Sequence, residues 1–208
     1  MRHIPGITVI PYVGERILPV VDELAGLRIA VFRDWPYLYE GDRGYERDYL
    51  AAYAASPRSV CVVARTDAGE VVGASTGIPL ADDGEAFHQA FLDKGIPLGD
   101  VFYFGESVLL APWRGRGIGH AFFDAREAHA RACGGFRYTA FCAVRRDPGD
   151  PRAPSAYRSN DMFWRGRGYT PRPGMSCTLS WKERGAADAT PHVLDFWLRE
   201  LGRAEVGA

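Results

Sequence analysis

Two guanidinium groups and three glycines fall together in Arg114-Gly-Arg-Gly-Ile-Gly119, a set suited to holding an anion. Gly115, Gly117 and Gly119 remove side chains where the backbone must turn tightly, which leaves amide N–H groups free to point outward. Where such a turn opens a helix, the positive end of the helix dipole adds to the attraction. The pattern predicts a phosphate site. A Walker loop would need Lys followed by Ser or Thr after the last glycine, and His120 stands there instead. The dinucleotide fingerprint G-x-G-x-x-G also fails, since its last position is His120 counted from Gly115 and Phe122 counted from Gly117. A turn used only for packing is the alternative. Glu106 is the second candidate, because a carboxylate in an apolar strand must be compensated, and a partly desolvated carboxylate is suited to proton transfer.

The elements that must position these residues can be read from periodicity. Val101 to Leu110 is aromatic and β-branched and predicts a central strand, whose alternation puts Glu106 on one face with Phe102, Phe104, Val108 and Leu110. Ile118, Ala121, Phe122, Ala125 and Ala132 recur at helical spacing, with Arg126, Glu127 and Arg131 falling largely elsewhere on the surface. The glycines therefore lie at a strand-to-helix turn. Before them come a short strand at Ile7 to Ile10, a helix from Arg16 to Phe32, an aromatic loop Asp34 to Tyr39, a helix from Tyr45 to Ala55, and a hairpin of Val60 to Arg65 with Val71 to Ile78. A short helix is expected over Asp83 to Asp93. After the glycines come a strand from Phe136 to Val144, a Pro- and Gly-rich loop to Pro154, a helix from Ser155 to about Arg165, a strand from Ser176 to Trp181 and a helical stretch from Pro191 to Leu201.

With 208 residues, of which 47% are hydrophobic and 12% aromatic, the chain is expected to form one domain over 1–208, with 185–208 as a helical tail. A formal net charge of −1 with both signs interspersed predicts neither nucleic acid nor a membrane as partner. No apolar run approaches ~20 residues, and the N-terminus lacks a signal pattern, so a cytoplasmic protein is expected. Cys61, Cys133, Cys142 and Cys177 show no C-x-x-C spacing and the five histidines no ligand spacing, so no metal is expected.

The spacing R-x-x-G-x-G, here Arg114, Gly117 and Gly119, resembles the pyrophosphate-binding motif of the GCN5-related N-acetyltransferase (GNAT) superfamily. The order of elements fits the same resemblance. It implies an α/β (α+β), single-domain acyl-CoA N-acyltransferase fold, a mixed and mostly antiparallel sheet flanked by helices, with acetyl-CoA as donor and no metal. It further implies that the strand before the glycine loop and the next strand splay apart around pantetheine, beside the backbone of Val108, Leu109 and Leu110. Arg114, Gly115, Arg116, Gly117, Ile118, Gly119 and His120 would then hold the pyrophosphate. Pro112 stands two residues before Arg114, where many relatives place the proline three before.

Relatives often carry a Glu on this strand as base, which assigns proton removal from the acceptor ammonium to Glu106; a structural pairing with Arg28 or Arg33 is the alternative. Relatives also commonly place a tyrosine, as acid, in a Y-x-x-x-G-F pattern. Here Trp164 precedes Gly168-Tyr169, and indole is no acid. Tyr157, two turns earlier on the expected helix, is the substitute, and unassisted loss of CoA thiolate to solvent is the alternative. The loop after the first helix would wall the acceptor with Trp35, Tyr37 and Tyr39, leaving Arg33 to hold a carboxylate, unless the loop is simply a core plug. The expected function is acetyl transfer to a primary amine of a small-molecule or amino-acid-like acceptor in a ternary complex. A peptide or protein acetyltransferase and a non-catalytic CoA sensor stay open, as does a homodimer.

Overall fold

A computed structural model of the chain describes residues 4–202. Its sheet is built from β1 (Ile7–Val13), β2 (Val60–Thr66), β3 (Val71–Pro79), β4 (Val101–Tyr103), β5 (Ser107–Leu109), β6 (Tyr138–Val144), β7 (Thr170–Lys182) and β8 (Ala189–Glu200). The order is β1-β2-β3-β4-β6-β8-β7, with β5 paired to β3 beside this path. The β4–β6 pairing is parallel. The other pairings are antiparallel, so the sheet is mixed and mostly antiparallel, as expected.

Helices cover both faces because the strands are apolar on both. Cys61 and Val63 point into a core with Leu24, Leu27, Leu50 and Tyr53 of α1 (Val21–Phe32) and α2 (Arg43–Ala55), while Val60, Val62 and Ala64 point into a second core with Ile118, Phe122 and Phe123 of α4 (Ile118–Cys133). Asp42 starts α2 by accepting the Tyr45 N–H at 2.8 Å. A short α3 (His88–Leu92) and α5 (Asp161–Gly166) complete the helices. Among the described residues, no helix is long and apolar enough to cross a membrane.

Four expectations are corrected. The helix expected from Arg16 begins as a 3-10 segment, Gly14–Val20, because Pro19 lies within it, and becomes α-helical only at Val21. The expected helical tail is β8: Leu194, Phe196 and Leu198 face one core and Trp197 the other, a period of two, and pairing on both sides with β6 and β7 satisfies the backbone. Residues 203–208 of that tail lie outside the described residues. The helix expected from Ser155 starts only at Asp161.

The fourth correction shapes the site. Val101 to Leu110 is not one strand but two, parted at Phe104 to Glu106. A Cβ on Gly105 would run into the Tyr53 hydroxyl and lie 2.7 Å from Thr76 Oγ1, so the chain can pass there only as glycine. The interruption changes parity: Phe102 and Phe104 pack in the core under α4, whereas Val108 packs in the core under α1 and α2.

Candidate active site

The parting of β4 and β5 opens a groove. β4 runs beside β6 as far as Tyr103 and Ala140, and the Phe104 N–H still donates to Ala140 O at 2.7 Å. Beyond it β5 turns to β3, Ser107 opposite Ser75 and Leu109 opposite Gly73, while β6 continues along β8. The gap is a cavity of about 730 Å³, lined from Arg114, Gly117, Gly119 and His120 to Trp35, Pro36 and Tyr37. Glu106 O accepts from the Thr76 N–H and the Leu110 N–H donates to Val72 O, both toward β3. Strand alternation therefore turns the peptide groups of Ser107 and Leu109 to the open edge.

At one end of the groove, Gly117 caps α4 in the left-handed region at φ +88°, with no side chain accepting from the first turn. The first intrahelical bond is that of the Ala121 N–H to Gly117 O, 3.2 Å, which leaves the amides of Ile118, Gly119 and His120 without helical acceptors. Arg114 is exposed beside them, its Nε donating to Leu109 O at 3.1 Å. Free amides beside an exposed arginine are groups that could hold an anion.

In the wall stands Glu106, with 6% of its side chain exposed and Oε1 2.6 Å from Arg28 Nη1. Its Oε2 accepts from the Tyr49 hydroxyl at 2.8 Å. Arg28, on α1, also pairs with the fully buried Glu46 of α2, and its guanidinium lies 4.1 Å from the Tyr49 ring centre. Burial opposes the Arg28 charge, yet Glu106, Tyr49 and Glu46 hold it well above its ordinary range. Arg126, expected on the surface, is 1% exposed. Its Nη1 donates to Glu106 O (3.1 Å) and Thr76 O (3.2 Å), and its Nη2 to Ser107 Oγ (2.9 Å). Phe104 and Phe123 cover its guanidinium at 4.1 and 4.8 Å, and burial pushes it down to about 10. The arginine thus ties β3 to the start of β5. Glu127, also expected outside, is 4% exposed and joins Arg167 (3.0 Å) and Arg199 (2.8 Å).

The acetyltransferase (GNAT) family model matches residues 27–158, which run from the second half of α1 past β6 and include most of the groove lining. The chain belongs to the acetyltransferase (GNAT) family. Among solved structures it is similar to a phosphinothricin acetyltransferase from Sinorhizobium meliloti in complex with AcCoA: 15% identity, 98% of this chain and 92% of that one covered, TM-score 0.55. A GCN5-related N-acetyltransferase from Kribbella flavida has 17% identity, 94% and 98% coverage and a TM-score of 0.56. An acetyltransferase from Thermus thermophilus has 14% identity, 96% and 99% coverage and a TM-score of 0.56. No curated protein matches the chain. At these identities the solved structures speak for the fold alone.

In this GNAT acetyltransferase the expected site residues divide. Leu109, Arg114, Gly115, Gly117, Gly119 and His120 line the groove with Glu106, Trp35, Tyr37 and Tyr157. Val108 and Ile118 are buried in the cores, and the Leu110 amide is taken by β3. Arg116 is exposed with its guanidinium 4.8 Å from the Trp113 ring centre. Arg33 is exposed and Tyr39 bridges to Glu183; neither lines the groove. The Trp35 to Tyr37 segment is fastened from behind: Arg146 donates to Pro36 O (2.6 Å) and Tyr37 O (3.0 Å), and Trp181 Nε1 to Tyr37 O (3.0 Å).

Tyr157 sits on a loop, not a helix, 39% exposed, its ring edge-on to Trp35 at 6.1 Å; burial and Asp161 raise its phenol. Trp164 packs against Phe141 (5.0 Å) and Trp197 (5.1 Å). Cys142, in the groove lining, lies 3.0 Å from the Tyr103 hydroxyl, and Cys177 beside it together with burial raises its thiol well above the usual range. Among the described residues, no group of three or more His, Cys, Asp or Glu could hold a metal ion.

Arg28 was the alternative partner offered for Glu106, and the structure makes that pairing, whereas periodicity missed Glu46 and Arg126 as site residues because it treats charge as surface. The signal was present: Arg28 falls among Leu24, Leu27 and Val31 at core spacing, and Arg126 follows Phe122 by one turn.

Proposed function

We propose that this protein transfers the acetyl group of acetyl-CoA to a primary amine of a small molecule, in a ternary complex. The observation that carries the reading is the unpaired gap between β5 and β6, with the uncapped start of α4 at one end and Glu106 in its wall. Pyrophosphate would rest on the amides of Ile118 to His120 beside Arg114, and the pantetheine arm would follow the open-edge peptide groups of Ser107 and Leu109. The solved Sinorhizobium meliloti enzyme in complex with AcCoA supports the choice of donor.

In the reaction Glu106 takes a proton from the acceptor ammonium, directly or through water. The amine nitrogen bonds to the thioester carbonyl carbon as the carbon–sulfur bond breaks and gives up its second proton to solvent to become the amide, and the CoA sulfur takes a proton from Tyr157 or from solvent. We take the enzyme to act in the cytoplasm as one domain, and its near-neutral charge gives no reason to invoke nucleic acid or a membrane.

A ligand that binds only the folded state raises apparent stability, so acetyl-CoA should raise Tm. Gly117→Asp sets a carboxylate against the pyrophosphate and should abolish the rise. Gly117→Ala, which strains the same left-handed backbone without adding charge, should keep it in part. An equal rise in the parent and in Gly117→Asp overturns the phosphate assignment.

A further inference from the structure

Building on the transfer reading above, the geometry points to a narrower acceptor: a primary amine carried on an aromatic or branched apolar body, without a carboxylate. The groove wall across from the anion-binding end is formed by Phe32, Trp35, Tyr37 and Tyr157, with Glu106 among them. Phe32 and Tyr37 lie 4.6 Å apart by ring centres, and Trp35 meets Tyr157 edge-on at 6.1 Å. Such faces bind apolar surface and attract an ammonium.

Among the described residues, a carboxylate finds no uncommitted buried cation near Glu106, and the exposed Arg114 of the groove stands at the end assigned to the pyrophosphate. Arg28 is shared between Glu46 and Glu106. Arg126 spends its donors on Thr76 O, Glu106 O, Ser107 Oγ and Phe122 O. Arg146 is held by Glu183 at 2.6 Å and by the carbonyls of Pro36 and Tyr37. Arg33 lies outside the groove, and Arg158, which lines it, is exposed to solvent with Nη1 on Tyr157 O at 3.2 Å and the carboxylate of Asp161 in the same lining. An acceptor carboxylate would be desolvated near Glu106 without a partner, whereas an ammonium meets Glu106 itself. The ammonium gives one proton to Glu106 or solvent, the nitrogen bonds to the acetyl carbon as the thioester bond breaks, its second proton passes to solvent as the amide forms, and the sulfur leaves as thiolate.

The test uses the full chain at saturating acetyl-CoA with 2-phenylethylamine, L-phenylalanine and ethylamine, following thiol release and the mass of the N-acetyl product. The first two differ by one carboxylate, and the first and third by one ring. Phenylethylamine should exceed phenylalanine in kcat/KM by about 100-fold, the scale expected when a substrate charge is left unpaired, and should exceed ethylamine through a lower KM. Equal or better use of phenylalanine overturns the exclusion of carboxylates, and equal use of ethylamine overturns the aromatic subsite. Turnover of none of them while acetyl-CoA still raises Tm overturns the acceptor class, whereas failure of acetyl-CoA to raise Tm removes the transfer reading beneath it.

Discussion

Arg28 Nη1 lies 2.6 Å from Glu106 Oε1 while Arg28 Nε is bonded to Glu46, so one buried cation is divided between two carboxylates. Glu106 is therefore anchored to α1, and it also stands in the groove wall. The structural pairing and the proposed proton transfer belong to the same residue. They separate by experiment. Glu106→Gln should keep acetyl-CoA affinity and lower kcat at neutral pH by about 10²- to 10⁴-fold, with the deficit shrinking as rising pH supplies free amine. A deficit constant across pH would assign Glu106 to positioning alone.

The same pair predicts an asymmetry in stability. Arg28→Met leaves Glu46 and Glu106 buried without their shared cation and should cost on the order of 3–5 kcal/mol in denaturant unfolding. Glu106→Gln leaves Arg28 with Glu46 and should cost clearly less. Equal losses would mean that the two contacts do not share one charge.

Arg126 should act on chemistry through the backbone it holds. Lysine keeps the charge but cannot reach Glu106 O, Thr76 O and Ser107 Oγ together, so Arg126→Lys should fold yet lose roughly tenfold to 10²-fold in kcat from misplacement of Glu106 and Ser107. Added methylguanidine should restore part of the rate of Arg126→Ala. A purely structural role would lower Tm and leave kcat of the folded protein unchanged, with no rescue.

Tyr157→Phe should lower kcat with little change in acetyl-CoA KM, because the hydroxyl matters only as the thiolate develops. Trp164→Phe removes ring contacts with Phe141 and Trp197 and should lower stability by about 1 to 3 kcal/mol, touching chemistry only indirectly. Unchanged single-turnover rates in Tyr157→Phe would favour loss of the thiolate to solvent.

Stability should fall with pH in a defined window through Asp83. Burial raises its carboxyl from the ordinary 3.8 to about 6, although the Gly84 N–H, 2.8 Å from Oδ1, works the other way. The folded state therefore holds this proton more tightly than the unfolded chain, so its contribution is present at low pH and is lost as pH rises from about 4 to about 6. Asp83→Asn retains an acceptor for Gly84 and should unfold at a higher temperature than the parent above pH 6. Identical pH profiles of Tm for the two proteins would sink this assignment.

The glycine turn that opens α4, where we propose the phosphates rest, could be read directly from the sequence, because its geometry is local. Glycines at Gly115 and Gly117 free the chain to take positive φ, and the helix that follows supplies its own unpaired amides, so residue order alone specifies the turn and its charge. The strands and helices around it were legible for the same reason, since side-chain period follows from backbone geometry. The family resemblance rested on that stretch too. What only the tertiary structure decided is non-local. Gly105 interrupts its strand because Tyr53, far off in sequence, occupies the space of a side chain, and the resulting change of parity aims Glu106 at Arg28. The segment over Ala189–Glu200 is a strand because β6 and β7 offer both of its edges a partner, which no local preference reveals. Arg126 and Glu127 are buried because distant carbonyls, rings and arginines satisfy them, and Arg33 and Tyr39 leave the groove because the turn after α1 carries only Trp35 to Tyr37 into it. Charge and period are properties of a segment, whereas burial of a charge depends on partners that only folding brings within reach.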